Sequence, residues 1–429
     1  MLVGSDLEPT RRGEPVTHDD ARRFWTYWGA STTSAVGSAV SAVALPLTAL
    51  LVLDASTFEM GLLTAASYAA WLVLGLPAGV ITQRLPLRRL QLTTDLVRAL
   101  AVASVPLVWW LGGLTLAHLL LVALVVGCAS VLFDVANSTF LPSVVPREQL
   151  QSRNSLMSGT FAATQLSGPP VGGGAVALVG AAPALLLDAV SYLVSALLLR
   201  RLPEAQAPQV ARQPMRDMIR EGWHFVTRHR VMAPCMWDAT VTNFVCGGQM
   251  ALFAVYLVRD LDATPALVGV LLAAEGVGSL VGAALAPRLV RAFGSARVCL
   301  AGGVVSVVGA FLIPVGDGAV GAAVFALGNV VFALGVVLLS TTTRTYRQIA
   351  SPPEMLSRVM ATVRFVSWGA IPLGGLVAGS LGAWLGPRGA LVALAAVTVV
   401  SPLILLASPV RRLRDLEDYE AEPAVAVPG

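Results

Sequence analysis

The chain has 429 residues, of which 56% are hydrophobic and 13% charged, with a net charge of +4 and a mean hydropathy of +0.74. A soluble globular domain carries roughly 25% charged residues, so this composition excludes that class and indicates a membrane protein. All 29 basic residues are arginine, and their placement between apolar runs argues against a nucleic-acid-binding surface. The four cysteines have no CxxC pair and no metal-like spacing, which favours packing positions over a metal site.

Twelve apolar segments follow one another along the chain, each long enough to cross a bilayer as a helix of roughly 20 residues. Continuous apolar runs without a period of two predict helices and exclude a β-barrel. The segments, termed spans 1 to 12, are predicted at 26–53, 59–81, 91–111, 114–136, 154–177, 181–199, 233–258, 265–287, 297–315, 318–341, 358–383 and 388–408. The fold class predicted is an all-α membrane protein with twelve transmembrane helices in two pseudo-symmetric six-helix halves.

A polar stretch separates span 6 from span 7 and divides the chain into five parts. These are a tail at 1–23, an N-terminal half at 24–201, a linker at 202–232, a C-terminal half at 233–408 and a tail at 409–429. The linker spaces apolar and charged residues as an amphipathic helix does, which predicts a helix at the membrane surface. The first tail is polar and does not have the form of a cleavable signal peptide.

The arginines lie overwhelmingly on one side of this topology. Of the 29 arginines, 25 lie in the tails or in connections that follow an even-numbered span. Arg259 and Arg388 lie on the other side, and Arg98 and Arg364 lie within spans. Because short cytoplasmic loops retain Lys and Arg, both termini and the linker are predicted to be cytoplasmic, in a multi-pass protein of the inner or plasma membrane.

The two halves also share a weak internal repeat. The loop 83-QRLPLRR-89 has a counterpart in 287-PRLVRAFGSAR-297, and the entry to span 5 at 146–159 has one in the entry to span 11 at 352–364. Two six-helix halves related by an axis along the membrane normal form a known transporter architecture, with the substrate site between them near the midplane.

Five short motifs in chain order resemble those of the major facilitator superfamily. They are 74-LGLPAGVITQRLPLRR-89, 95-DLVRA-99, 132-LFDVANSTFLPSVVP-146, 168-GPPVGG-173 and 221-EGWHFVTRHRVM-232. Together they cover nearly the whole chain and are similar to the drug:proton antiporter branch, which includes the enterobactin exporter and macrolide-efflux proteins.

Two positions depart from the pattern of that branch. Gln83 stands where the signature loop carries an acid, and Gly37-Ser38 stands where branch members often have Gly-Asp. The charge network of that loop with span 11, and a proton-carrying role for an acid in span 1, are therefore not carried over to this chain.

The resemblance implies a secondary active exporter that moves a small apolar or amphipathic compound, such as a drug, out of the cell by alternating access and proton antiport. A siderophore exporter or a lysophospholipid carrier of the same fold is the alternative. The chain has no Walker loop and its four histidines are scattered, so neither an ATP-driven pump nor an enzyme is expected. The expected partners are the substrate, protons and the bilayer, with no cofactor or metal and a monomeric chain.

A proline and glycine motif in span 5 is the predicted helix bend. It comprises Gly168, Pro169, Pro170, Gly172 and Gly173. Each proline removes a backbone donor and crowds the preceding turn, and the glycines let a neighbouring helix approach closely. The motif therefore acts either as a flexing point for alternating access or as a site of static close packing.

Six charged residues near the predicted cytoplasmic ends of spans 2 to 4 form the expected cytoplasmic gate: Arg84, Arg88, Arg89, Asp95, Arg98 and Asp134. Asp95 and Arg98 are three residues apart and share a helix face. The alternative is a set of interfacial charges that anchors the helices without moving.

Polar and aromatic residues inside the spans are the expected substrate contacts: Gln165, Asn243, Gln249, Arg364, Tyr68, Trp71, Phe244 and Trp368. Ionisable groups within a membrane are costly and usually face the bundle interior or a watery cavity. The aromatic residues are expected to form a wall around an apolar substrate. Each of them, taken singly, is also compatible with a lipid-facing or core position.

Glu275 is a single carboxylate within the apolar run of span 8 and is the first candidate for proton coupling, followed by Asp188 and Asp238. Burial favours the neutral form of a carboxylic acid, so such a group can load a proton on one side and release it on the other. Arg364 is the nearest candidate to oppose Glu275. The alternative is a buried acid that pairs structurally with a neighbouring helix.

The arginine distribution predicts thiol accessibility from outside the cell. In a background without the native cysteines, a cysteine placed in the loop 83–89 should resist impermeant thiol reagents, and one placed near Arg388 should react. Labelling of intact cells compares the two, and the reverse pattern contradicts the topology.

Overall fold

The computed structural model describes residues 18–75, 77–145, 149–204, 215–352 and 355–421. Within these ranges the chain is helical and has no strand. Ten of its helices are long and apolar enough to cross a membrane. The predicted all-α membrane fold is confirmed, and the ten helices account for eleven of the predicted spans, because one of them contains two.

The N-terminal half and the linker contain eight helices. They are α1 (His18–Val52), α2 (Thr57–Leu74), α3 (Pro77–Arg84), α4 (Leu87–Trp110), α5 (Leu116–Val144), α6 (Leu150–Val179), α7 (Ala181–Leu199) and, in the linker, α8 (Met215–Arg228). Span 2 corresponds to α2 and α3, and α3 begins at Pro77, because proline suits the first position of a helix.

The C-terminal half contains the remaining elements. They are α9 (Met232–Val255) with a π-helical turn at Tyr256–Asp260, α10 (Pro265–Phe293), α11 (Ser295–Leu312), α12 (Gly318–Ala350), α13 (Leu356–Thr398), α14 (Val400–Leu406), a 3₁₀ turn (Pro409–Arg412) and α15 (Asp418–Ala421).

Two helices explain why ten long apolar helices correspond to twelve spans. α13 contains spans 11 and 12 and turns between them at Gly386, whose φ of 73° lies in the left-handed region that glycine tolerates. α6 has 30 residues and contains the polar side chains of Thr160, Gln165 and Ser167 and two prolines. It is the one predicted span absent from the ten.

The bundle has two sides. The linker side carries the start of α1 and the linker helix α8, and the far side carries the short connections from α1 to α2 and from α9 to α10. Inside the N-terminal half, α1 packs on α6 and α7, and α4 packs on α5 and α7. Inside the C-terminal half, α9 packs on α13, and α12 packs on α10 and α11.

The two halves meet along two seams, one between α2 and α13 and one between α6 and α10. Glycines bring the backbones together in both. A Cβ atom on Gly61 would lie 2.9 Å from Gly379 Cα, and one on Gly173 would lie 2.9 Å from Gly269 Cα. Small residues permit this approach between membrane helices, and both contacts lie towards the far side.

An ion pair adds a connection between the halves on the far side. Arg259 Nη2 donates to Asp54 Oδ1 at 2.8 Å and to the carbonyl oxygen of Ala55 at 2.9 Å. Asp54 is almost fully exposed, so the pair contributes little to stability. It nevertheless places the end of α9 against the connection between α1 and α2, and the halves are closed on this side.

The seam between α6 and α10 predicts that alanine substitution affects stability differently at the neighbouring Gly173 and Gly174. Gly173→Ala should lower the free energy of unfolding by about 1–3 kcal/mol, since overpacking displaces the backbone of α10. A Cβ on Gly174 would meet nothing within 4 Å, so Gly174→Ala should leave stability unchanged or raise it by up to about 1 kcal/mol. Tryptophan-fluorescence melting of the purified variants measures both, and equal effects contradict the seam.

Candidate functional site

Glu275 lies near the middle of α10, and its side chain is exposed. It interacts electrostatically with Tyr68 of α2 and Cys246 of α9. The next residue, Gly276, packs on α6, where a Cβ would lie 3.1 Å from Leu166 Cα. Neighbours on α2, α6 and α9 show that Glu275 is exposed to the space between the halves and not to lipid.

Glu275 has no ion-pair or hydrogen-bond partner within the described ranges. Arg364, which the sequence suggested as its opposing charge, interacts with a different acid. The hypothesis that Arg364 keeps Glu275 ionised therefore has no support. An unpaired carboxylate in this position can bind a proton or a cationic group.

Arg364, on α13, lies between two indole rings. Its Cζ atom is 4.3 Å from the ring centroid of Trp71 and 4.5 Å from that of Trp368. The two rings meet edge to face with centroids 4.7 Å apart. Because Trp71 belongs to α2 and Trp368 to α13, this cation–π cluster joins the halves near the linker side.

Asp134 is exposed on α5 and has electrostatic interactions with two cations, Arg98 of its own half and Arg364 of the other. It forms no ion pair with either of these two cations. The carboxylate thus interacts with cations of both halves, and relative motion of the halves changes its interaction with Arg364.

Arg98 and Asp95 are buried inside the N-terminal half and form an ion pair within α4. The guanidinium carbon of Arg98 also lies 4.2 Å from the ring centroid of Phe133 and 4.3 Å from that of Tyr192. This pair is enclosed by α5 and α7, so it lies deeper than the cytoplasmic end of the helix where the sequence placed it.

The other predicted gate residues lie at the surface of the linker side. Arg88 donates to the carbonyl oxygen of Leu202 and to Glu204, both at 2.7 Å, and Arg89 lies 3.4 Å from the same carboxylate. These bonds fasten the start of the linker to α4. The side chain of Arg84 lies outside the described residues. Of the gate residues whose side chains are described, Arg88 and Arg89 lie at the linker-side surface, Asp95 and Arg98 are buried, and Asp134 is exposed.

Asp188 lies in the interior of α7 and is fully buried. Ser191 donates to its Oδ1 at 3.2 Å, and Oδ2 has no hydrogen-bond partner. On α1, Gly37 provides the room that this carboxylate needs, since a Cβ there would lie 2.5 Å from Oδ1. Asp188 does not face the space between the halves.

Asp238 is the corresponding buried acid of the C-terminal half, on α9. Ser401 donates a hydrogen bond to its Oδ1, and Oδ2 has no hydrogen-bond partner, as in Asp188. Arg347 of α12 is also buried and interacts with Asp238 electrostatically.

The structure brings some of the predicted substrate contacts together. Tyr68, Trp71, Trp368 and Arg364 line the inner faces of α2 and α13, and Glu275 lies beside Tyr68. The remaining candidates have no contact with this group in the described residues: Asn243 donates to its own helix at Ala239, Gln249 is buried, Phe244 is half-buried with its backbone against Gly374, and Gln165 is exposed on α6.

The proline and glycine motif lies inside α6, which continues through Pro169 and Pro170. Its glycines contact two helices. A Cβ on Gly168 would lie 3.4 Å from Ala39 Cα on α1, one on Gly172 would lie 3.0 Å from the Val40 carbonyl oxygen, and Gly173 meets α10. Close packing is thus evident at this motif.

Two features of the site escaped the sequence reasoning. The glycine seam between α2 and α13 has a sequence signal, because Gly375 and Gly379 are four residues apart and form one stripe on a helix. Trp71 and Trp368 were expected in one aromatic wall, but no sequence signal places Arg364 between their rings, because the packing of the halves decides that contact.

Comparison with known proteins places the chain among transporters. The transmembrane secretion effector family matches residues 15–428. The multidrug efflux pump Tap of Mycobacterium tuberculosis is 29% identical over 402 residues, which cover 90% of this chain and 93% of that protein. The Tap protein of Mycolicibacterium fortuitum is 26% identical over 406 residues, covering 90% and 95%.

Solved structures show the same fold. The nucleoside transporter NupG has a TM-score of 0.75 at 12% identity, covering 91% of this chain and 99% of that one. An inward-facing bacterial homologue of the human lysosomal transporter Spinster has a TM-score of 0.69 at 14% identity, covering 96% and 100%. From the fold, the paired halves and these relatives, the chain belongs to the transmembrane secretion effector family of the major facilitator superfamily.

Proposed function

We propose that this protein exports a small apolar or amphipathic compound by alternating access and that proton entry drives the cycle. The observation that carries the proposal is Glu275, an unpaired carboxylate in the space between the halves with Tyr68 and Cys246 beside it. Relatives named as multidrug efflux pumps support export of this type of compound.

Coupling follows from the surroundings of Glu275. An isolated charge is expensive where water is scarce, so the acid is neutral when the space between the halves is occluded. When that space opens to water, the carboxylate can ionise and attract a cationic or polar part of the substrate. Substrate and proton then compete for one group, and the export of one requires the entry of the other.

The arginine distribution indicates the side to which the space between the halves opens in this state. With the linker side in the cytoplasm, the glycine seams and the Arg259–Asp54 pair close the outer side. The substrate then enters from the cytoplasm, near the indole rings of Trp71 and Trp368. These rings and the apolar walls favour an amphipathic compound with an aromatic or aliphatic body.

Glu275→Gln should abolish export driven by a pH gradient, because it keeps the shape of the side chain and removes the exchangeable proton. Substrate binding should persist and lose its pH dependence. Proteoliposomes with an imposed pH gradient give the transport rate, and fluorescence titration of detergent-solubilised protein gives the affinity. Asp262→Asn is the matched control, since it removes one exposed carboxylate from the far-side connection. Normal gradient-driven export by Glu275→Gln contradicts the assignment.

We also propose that Asp134 and Arg364 belong to the gate of the linker side. Their electrostatic interaction crosses the halves, and it strengthens as the halves approach on that side. The glycine motif of α6 supports the same motion, since Gly172 and Gly173 allow α1 and α10 to slide without interlocking side chains.

Charge reversal tests this gate. Asp134→Arg and Arg364→Asp should each reduce export at least tenfold, because one variant leaves two facing cations and the other two facing acids. The double variant should regain a substantial part of the rate, as measured in the same proteoliposomes. A double variant no better than the worse single one contradicts the pairing.

A further inference from the structure

A cleft on the linker side, here termed the linker cleft, lies where the end of α8, the start of α9 and the end of α14 meet. Its volume is about 500 Å³. Pro234 of α9 belongs to one wall, and Ile404 and Ala407 of α14 belong to the other. Arg228 and Arg230, from the end of the linker, also line it. The linker cleft thus combines apolar walls with two cations.

The α9 wall of the linker cleft faces away from the space between the halves. Cys246 of α9 interacts with Glu275, so that side of the helix faces the space. Trp237 precedes Cys246 by nine residues, which at roughly 3.6 residues per turn places it on the opposite side of α9. Trp237 is exposed and shares a helix face with Ala233 in the wall. The wall therefore continues along a side of α9 that faces lipid.

The α14 wall continues in the same way. Val400, Leu403 and Ala407 are exposed and follow one another at spacings of three and four residues, so they form one apolar stripe on α14. Ser401 lies on another face, buried against Asp238. An apolar stripe thus extends from each wall of the linker cleft towards the interior of the membrane.

The uncharged polar side chains of the linker cleft already bond within the protein. Thr227 Oγ1 donates to the carbonyl oxygen of Trp223 at 2.7 Å, and Ser408 Oγ donates to that of Leu405 at 2.7 Å. His229 Nδ1 accepts from the first backbone N–H groups of α9 at 3.2 Å. These groups hold the local structure together and are not the ones that await a ligand.

The two arginines differ from these groups. Arg228 and Arg230 are exposed, and neither forms an ion pair or a hydrogen bond with any residue that the structure describes. Glu221, the acid closest to Arg228 along α8, lines an adjoining cavity and forms an ion pair with Arg358 of α13. No acid lines the linker cleft itself, so its two positive charges are not balanced within the described part of the chain.

We propose that the linker cleft binds an anionic phospholipid from the leaflet on the linker side. The phosphate lies against Arg228 and Arg230, because a guanidinium donates two parallel hydrogen bonds to phosphate oxygens. An acyl chain then follows the apolar stripes of α9 and α14. A second negative charge in the headgroup favours an anionic lipid over a zwitterionic one, since arginines near a membrane surface attract anionic lipids.

The site goes beyond the proposed export and does not depend on it, because none of its residues faces Glu275 or the space between the halves. A bound lipid contacts the linker, α9 and α14 together. It therefore stabilises the attachment of the linker to the C-terminal half, since a ligand that binds the folded state stabilises it.

Native mass spectrometry of the purified, delipidated protein tests the proposal, because it resolves individual bound lipids. Phosphatidylglycerol should bind more tightly than phosphatidylcholine with the same acyl chains. Replacing Arg228 and Arg230 together by glutamine should weaken phosphatidylglycerol binding by roughly tenfold or more, because both cations near the headgroup are lost. Equal affinity for the two lipids in the unchanged protein overturns the proposal.

Replacing Arg288 and Arg291 by glutamine is the matched control. These arginines are exposed near the end of α10 and do not line the linker cleft, so the change in net charge is the same. The control should retain the affinity for phosphatidylglycerol. An equal loss in both double variants would show a general effect of charge and would overturn the site.

Two further measurements separate a lipid from a free anion. Ala407→Phe fills the α14 wall without changing charge, so it should weaken phosphatidylglycerol binding, and an unchanged affinity contradicts the path of the acyl chain. Phosphatidylglycerol should also raise the melting temperature of the unchanged protein more than that of the variant lacking Arg228 and Arg230. Inorganic phosphate should have no such effect, and an equal rise with phosphate assigns the arginines to a free anion and overturns the lipid site.

Discussion

The cost of charge inside a membrane is the constraint on which this structure depends. The ionisable groups in the described spans avoid this cost in different ways. Arg98 and Asp95 neutralise each other in the interior of one half, and Asp238 lies near Arg347 in the other. Glu275 instead faces the space between the halves, where water or a substrate can reach it.

The contacts between the halves obey a second constraint, because a transporter that alternates must be able to break them. Backbone meets backbone at Gly61 and Gly379 and again at Gly173 and Gly269. Such surfaces pack closely but carry no interlocking side chains, so separating them leaves few polar groups unpaired. The exposed Arg259–Asp54 ion pair contributes little to stability, so it also breaks easily when the halves separate.

Arg364 takes part in both aromatic packing and charge interactions between the halves. The two indole rings that hold it come from opposite halves, and the acid with which it interacts, Asp134, also interacts with buried Arg98. A continuous chain of interactions thus runs from the space between the halves into the interior of the N-terminal half. Through it, a change in the separation of the halves alters the charge environment of the buried acids.

The sequence by itself determined the membrane fold, the twelve spans and the two halves, because hydropathy and span length are properties of contiguous segments. It also identified Glu275, Asp188 and Asp238, since an acid in an apolar run is visible without a structure. Only the tertiary structure decided their different environments: Glu275 faces the space between the halves, Asp188 lies beside a cation that is already paired, and Arg364 lies between two tryptophans. Those environments depend on the rotation of each helix and on contacts between residues remote in the chain. The hydropathy pattern of a single segment contains no information about either.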